Sequence, residues 1–147
     1  TFYTGIMLNN DLSQQIKRNF PYKPTEEQEN AVKSFAEFLF SPSADSVFLM
    51  KGYAGTGKTT LTSALVRTLD SLQRKVILLA PTGRAAKVFS GYAEHPAYTI
   101  HKKIYRQKVF SNETDNFVAN QNLHRNTLFI VDEASMIANE DFRRPFW

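Results

Sequence analysis

The sequence contains no cysteine. Disulfide bonds and metal sites built from thiolates are therefore excluded, and we expect a reducing compartment, the cytoplasm. Long hydrophobic runs are also absent, because the longest has about five apolar residues and a membrane-spanning helix needs roughly 20. No secretory signal pattern opens the sequence. These absences predict a protein that has no membrane partner.

The rest of the composition is that of a single globular domain. The chain has 147 residues, of which 42% are hydrophobic, and this is enough for a core. Eighteen Lys and Arg residues against 14 Asp and Glu residues give a net charge of +4. Mild basicity is only a weak indication of nucleic-acid binding, because many soluble domains share it. The motifs must therefore indicate the function.

A glycine-rich loop lies between a predicted strand and a predicted helix. It reads G-Y-A-G-T-G-K-T at 52–59, after the apolar run 46–50, which predicts a buried strand. Residues 59–72 have apolar side chains at helical spacing. Strand, glycine loop and helix together are typical of a phosphate-binding loop, in which backbone N–H groups and a helix N-terminus face the phosphates. The predicted ATP-binding residues of this loop are Gly52, Ala54, Gly55, Thr56, Gly57, Lys58, Thr59 and Thr60.

Two adjacent carboxylates follow a second apolar run. Residues 128–131 predict a short buried strand, and Asp132 and Glu133 come directly after it. Lys58 would reach the β- and γ-phosphates of ATP, while the Thr59 hydroxyl and Asp132 would hold Mg²⁺. Glu133 would accept a proton from the attacking water. A solvated acidic turn is the alternative, but the pair predicts hydrolysis of ATP rather than binding alone.

Helical and strand patterns alternate along most of the chain. Strands separated by helices predict an α/β domain with a parallel sheet. The predicted elements are a helix at 10–20, a helix from 25 to about 40 that opens with a capping box, a strand at 75–80, a turn at 81–84 that leads into a short helix through 89, and a helical turn at 100–105. The stretch 105–123 departs from this alternation of helices and strands. Its two short extended arms around a polar turn predict an inserted β-hairpin, with a surface loop as the alternative.

Four short segments also stand in a characteristic order. They read G-Y-A-G-T-G-K-T at 52–59, A-P-T-G-R-A-A at 80–86, T-I-H at 99–101 and V-D-E-A-S-M at 131–136. In this order they resemble motifs I, Ia, Ib and II of superfamily 1 DNA helicases of the B branch, the group that includes RecD and Dda. The second and fourth strings are more specific than the glycine loop alone. The resemblance covers about residues 24–136 and implies a RecA-like P-loop NTPase domain.

The resemblance also implies what the domain would do. Helicases of this branch use ATP hydrolysis to move 5′→3′ on single-stranded DNA and to separate duplexes at junctions of single and double strands. By resemblance, motif Ia and Ib residues would lie along the DNA backbone, namely Thr82, Gly83, Arg84, Thr99 and His101. A solvated Arg84 and a packed or capping His101 are the alternatives. The inserted hairpin falls where these helicases carry the wedge that splits the duplex.

Gln28 has two compatible interpretations. It is the fourth residue of the string T-E-E-Q at 25–28, which predicts a reciprocal helix cap with Thr25. The same string resembles the Q motif of this helicase family, which implies that Gln28 reads the adenine edge. An amide can both donate to and accept from adenine, which gives the physical reason for such a contact.

The sequence departs from the family after motif II. It ends about ten residues further on, without motifs III to VI and the second RecA-like domain. We therefore expect 1–24 to be an N-terminal helix and lead-in, and 25–147 to be an incomplete RecA-like domain. We expect this stretch alone to be inactive, because arginines from the missing parts complete the γ-phosphate site. A stand-alone nucleotide-binding regulatory module and a small nucleoside kinase are the alternatives, and pathway and oligomeric state stay open.

Overall fold

The computed structural model of the chain describes residues 2–40, 47–51, 57–103 and 127–136. The chain divides into two compact units, one ending at Leu72 and the other beginning at Gln73. In the first unit the described elements are the helices α1 (Phe2–Arg18), α2 (Glu26–Leu39) and α3 (Lys58–Ser71). In the second they are β1 (Lys75–Ala80), α4 (Gly83–Ala93), β2 (Ala97–Thr99), β3 (Thr127–Val131) and a 3₁₀ turn (Ala134–Met136).

The capping box at the start of α2 is confirmed. The Thr25 hydroxyl accepts a hydrogen bond from the Gln28 backbone N–H at 3.2 Å. The Gln28 side-chain oxygen accepts one from the Thr25 backbone N–H at 2.9 Å. Together these bonds satisfy two N–H groups that a helix start otherwise leaves unpaired.

Helix α1 is longer than predicted, since it begins at Phe2 rather than near residue 10. Nothing before Pro21 removes a backbone N–H donor, so the helical hydrogen bonds can continue through these residues. Leu12 and Ile16 lie four residues apart on one face of α1 and are buried, and α1 packs against α2 and α3. Near its end the Asn19 amide donates to the Thr68 hydroxyl at 2.8 Å.

Helix α3 and strand β1 agree with prediction. The predicted apolar residues of α3 are all buried, namely Leu61, Leu65, Val66 and Leu69. Strand β1 spans the predicted residues 75–80, and most of its side chains are buried. Helix α4 begins at Gly83, within the predicted turn at 81–84, and continues past the predicted end at residue 89 to Ala93. It ends at Glu94, whose left-handed backbone closes the helix.

The apolar segment before the glycine loop is not a buried strand, contrary to prediction. Residues 47–50 have no strand partner in the part of the chain that the structure describes. Side chains alternate along the segment: Val47 is 86% exposed and Leu49 is 65% exposed, whereas the Phe48 ring packs edge-on against Phe35 at 5.6 Å. One face of the segment is therefore open to solvent, whereas a buried strand is covered on both faces.

The second unit contains a three-stranded parallel sheet with the order β2-β1-β3. Leu79 of β1 lies opposite Tyr98 of β2 and Val131 of β3. Strand β3 is less buried than predicted, because Phe129 is 43% exposed and Val131 is 37% exposed. The reason is its place at the edge of the described sheet, where it pairs with β1 on one side. The α/β class with a parallel sheet is confirmed.

Two predictions lie outside the described residues. They are the inserted hairpin at 105–123 and the loop residues Gly52, Ala54, Gly55 and Thr56. The helical turn predicted at 100–105 is present from 100 to 103. Among the described residues, no helix is long and apolar enough to cross a membrane.

Candidate functional site

The described end of the phosphate loop is Gly57, at the start of α3. Its φ of +80° places it in the left-handed region, which glycine adopts without strain. Its carbonyl accepts the first helical hydrogen bond, from the Leu61 N–H at 3.0 Å. The N–H groups of the first turn that follows have no acceptor within the helix and therefore suit an anion.

Buried Gln28 contacts this loop end directly. Its side chain is only 4% exposed, and its amide nitrogen donates to the Gly57 carbonyl at 3.2 Å. A Cβ atom at position 57 would collide with that amide nitrogen. The backbone angle therefore favours glycine at position 57, and any larger residue would also displace the end of the Gln28 side chain. Sequence reasoning missed this contact, because the two residues are 29 positions apart and no local pattern links them.

The next three residues begin α3 and carry the predicted phosphate and metal contacts. Lys58 and Thr60 are partly buried and Thr59 is exposed. The Thr60 hydroxyl accepts a hydrogen bond from the Tyr22 hydroxyl at 3.2 Å. These residues form the first turn of α3, where the helix dipole places a partial positive charge. The buried apolar face of α3 fixes the position of this turn.

The paired carboxylates stand in the second unit, at the carboxyl end of β3. The Asp132 N–H donates to the Leu79 carbonyl at 3.0 Å and so continues the sheet by one residue. Its Oδ1 accepts from the Glu133 N–H at 2.9 Å. Its Oδ2 accepts from the Tyr92 hydroxyl at 2.7 Å. Burial, reinforced by the bond to Asp132, raises the pKa of Tyr92 far above its usual range, so the phenol stays a donor.

Glu133 has an unusual backbone, with φ of +54°. Gln73 and Glu94 also have positive φ values, but both follow helix ends, where left-handed residues are common. Glu133 instead follows a strand, and its side chain is exposed. Such strain costs about 1–3 kcal/mol and often marks a functional position. The geometry presents this carboxylate to solvent at the strand end.

The described residues fit a magnesium ion that is held mainly by phosphate and water. They contain no cluster of three or more His, Cys, Asp or Glu side chains that could hold a metal. Mg²⁺ bound with nucleotides needs only one or two protein ligands. Each Asp132 side-chain oxygen accepts one hydrogen bond from the residues that the structure describes, and a carboxylate offers about four acceptor positions in total. The Asp132 carboxylate in the second unit and the exposed Thr59 hydroxyl in the first are each of a chemical type that can bind magnesium.

The predicted DNA contacts lie at two helix starts in the second unit. The Thr82 hydroxyl caps α4 by accepting from the Ala85 N–H at 3.1 Å. The Thr99 hydroxyl accepts from the Lys102 N–H at 3.2 Å, at the start of the helical turn. The predicted residues Thr82, Gly83, Arg84 and His101 are exposed, and Thr99 is partly exposed. Both starts can therefore present N–H groups to phosphates.

The comparison with known families agrees with this arrangement. The family described as an AAA domain matches residues 23–146. The chain belongs to this family. The match includes both the loop end at Gly57 and the carboxylates at Asp132 and Glu133.

Known relatives narrow the assignment of this AAA domain. The multifunctional conjugation protein TraI of Escherichia coli K12 is 33% identical over 110 residues, which are 70% of this chain and 6% of TraI. The ATP-dependent DNA helicase dda of phage T4 is 35% identical over 97 residues, 64% of this chain and 22% of dda. The uncharacterized protein MJ1519 of Methanocaldococcus jannaschii is 28% identical over 130 residues, 81% of this chain and 11% of that protein.

The AAA domain is thus a helicase-type NTPase domain of superfamily 1, as the four motifs predicted. Its sheet and its family match are those of an incomplete RecA-like fold. The chain spans less than a quarter of the length of each of these relatives.

Proposed function

We propose that this chain is the N-terminal motor domain of an ATP-dependent DNA helicase that moves 5′→3′ on single-stranded DNA. The observation that carries the proposal is the hydrogen bond from buried Gln28 to the Gly57 carbonyl. It joins the string that resembles the Q motif to the end of motif I, within one compact unit. The relative named as an ATP-dependent DNA helicase supports the same activity, and the cysteine-free sequence suits action in the cytoplasm.

In the proposed reaction, each polar group of the site has one task. Lys58 and the N–H groups at the start of α3 bind the terminal phosphates of ATP. Glu133 accepts a proton from the water that attacks the γ-phosphorus. Thr59 and Asp132 would hold Mg²⁺, which when bound neutralises charge on the phosphate oxygens. These assignments make the motor domain a hydrolase that binds ATP and Mg²⁺.

Single-stranded DNA, including junctions with duplex, is the proposed second partner. The exposed start of α4 offers three groups that can contact phosphates: the Thr82 hydroxyl, the backbone of Gly83 and the Arg84 guanidinium. Contacts of this kind do not depend on the base sequence of the DNA. Thr99 and His101 extend the contact from the second helix start. Gly83 is informative because a Cβ added there would meet no atom within 4 Å. The fold therefore does not require glycine at this position, whereas close approach of a DNA backbone would.

Replacing Gly83 by alanine should weaken single-stranded DNA binding about 2- to 10-fold, because a methyl group would push a phosphate away from a backbone N–H worth about 0.5–1.5 kcal/mol. Fluorescence anisotropy with an oligonucleotide measures the effect. Gly91→Ala is the matched control, since Gly91 lies in the same helix and a Cβ there also meets nothing within 4 Å. The Gly91→Ala substitution should stabilise α4 by about 0.5–1 kcal/mol and leave the DNA affinity unchanged. Equal affinities for both variants would remove Gly83 from the DNA interface.

Replacing Gln28 by alanine should reduce the preference for ATP over GTP by about fivefold or more, since an amide–adenine pair discriminates by about 1–3 kcal/mol. It should also weaken binding of both nucleotides, because the support of Gly57 is lost. Thr25→Ala is the control: it removes one cap bond, costs about 1 kcal/mol of stability and leaves the Gln28 amide in place. Calorimetric titrations of each variant with ATP and with GTP measure both the affinities and the preference. An unaltered preference in Gln28→Ala would limit Gln28 to capping and loop support.

The whole activity is tested in the full-length protein. We expect ATP hydrolysis that single-stranded DNA stimulates, and displacement of a strand from a duplex with a 5′ tail but not from one with a 3′ tail. Nucleotide binding without hydrolysis would favour the regulatory module. Transfer of phosphate to a nucleoside would favour the kinase, and displacement from the 3′ tail alone would reverse the proposed polarity.

A further inference from the structure

Tyr92 contacts the motif II carboxylate from a part of the chain that lies outside the four motifs identified in the sequence. It lies in the last turn of α4, 40 positions before Asp132, and its hydroxyl donates to Asp132 Oδ2 at 2.7 Å. The Tyr92 ring packs on the Phe89 ring, with centroids 5.2 Å apart. Phe89 is fully buried, so the Tyr92 ring packs against a residue of the core of the second unit.

The remaining polar groups of Asp132 are also engaged. Its backbone N–H bonds to the Leu79 carbonyl at 3.0 Å, which continues the sheet ladder. Its Oδ1 accepts from the Glu133 N–H at 2.9 Å. With the backbone held by the sheet and each carboxylate oxygen held by one donor, the side chain has little freedom to rotate. Hydrogen bonds to an ionised carboxylate are among the strong ones, and a length of 2.7 Å agrees with this class.

We propose that Tyr92 is a positioning residue, which orients the Asp132 carboxylate so that its uncommitted acceptor positions face the magnesium ion of the bound nucleotide. The inference rests on the proposed function. Side chains that hold a metal ligand in place without touching the metal commonly change metal affinity or activity 10- to 100-fold when they are removed. The phenol suits this task, because it supplies one donor and leaves the other acceptor positions of Asp132 unused.

The test is Tyr92→Phe in the full-length protein, which keeps the ring on Phe89 and removes the hydroxyl. ATP affinity is measured by calorimetry at increasing Mg²⁺ concentrations and again with EDTA in place of Mg²⁺. We expect the Mg²⁺ concentration for half-maximal enhancement of ATP binding to rise about 10-fold, with no change in the metal-free affinity. Tyr98→Phe is the control in the same unit: Tyr98 is 37% exposed and its ring contact with Lys103 would persist in phenylalanine. It should behave as the wild type.

A second measurement does not use nucleotide. In a double-mutant cycle, the free energy of unfolding is compared for the wild type, Tyr92→Phe, Asp132→Ala and the double variant without Mg²⁺. We expect the two substitutions to be non-additive, because each removes the same hydrogen bond. Additive effects, or a Tyr92→Phe protein with the Mg²⁺ dependence of the wild type, would overturn the positioning role. A wild-type protein whose ATP binding ignores Mg²⁺ would instead overturn the proposed function and the inference with it.

Discussion

Replacing Lys58 by alanine is expected to weaken ATP binding about 10- to 150-fold. A hydrogen bond to a charged group contributes about 1.5–3 kcal/mol, and each 1.4 kcal/mol is a factor of ten in affinity. Lys58 is the first residue of α3, where its ammonium group adds to the partial positive charge of the helix N-terminus. Isothermal titration of the full-length variant with ATP measures the loss.

Lys33→Ala is the matched control for Lys58→Ala. Lys33 is an exposed lysine of α2, in the same compact unit, so its replacement removes the same charge away from the loop. ATP affinity should stay at the wild-type value in this control, and circular dichroism should give the same helix content for both variants. A folded Lys58→Ala protein that binds ATP as tightly as the control would refute the phosphate-loop assignment.

Replacing Glu133 by glutamine is expected to reduce ATP turnover about 10²- to 10⁴-fold, the usual contribution of a general base. The amide keeps the size of the side chain but cannot accept the proton of the attacking water. ATP binding should be retained, because Glu133 is not among the residues that we assign to the phosphates or the metal. Single-turnover hydrolysis and an ATP titration on the same full-length variant separate the two effects.

Glu94→Gln provides a close control for Glu133→Gln. Glu94 is also an exposed glutamate with positive φ, and it lies in the same unit. The two substitutions remove the same charge from the same type of backbone, so any general effect of that change is common to both. Turnover should fall only in Glu133→Gln. If both variants hydrolyse ATP at the wild-type rate, another group must act as the base.

Local patterns predicted the helices and the central strand well. The Thr25–Gln28 capping box appears as predicted, because a reciprocal cap depends on residues three positions apart. The buried face of α3 and the bounds of β1 are also confirmed. Both predictions likewise depend on residues that are close in sequence. Helical spacing and a continuous apolar run each specify a local structure together with the face that it buries.

The predictions that required a neighbouring strand were less successful. Residues 47–50 are apolar enough for a buried strand, but they do not form one, and Val47 and Leu49 are exposed. Strand β3 forms as predicted, yet Phe129 and Val131 are exposed because β3 lies at the edge of that sheet. An apolar run indicates that a strand can form. Whether the strand is paired on both sides depends on residues that are distant in sequence.

The sequence by itself determined the type of domain. The four motifs and their order predicted a superfamily 1 helicase domain, and the family match together with the similarity to TraI and dda confirms it. Motif residues such as Lys58 and Glu133 can be recognised because phosphate and proton chemistry require particular side chains at particular spacings. The tertiary structure alone decided which other side chains support them. Gln28 reaches Gly57 across 29 positions, and Tyr92 reaches Asp132 across 40. Hydrogen bonds of this kind depend on how helices and strands pack, and a linear pattern carries no record of that packing.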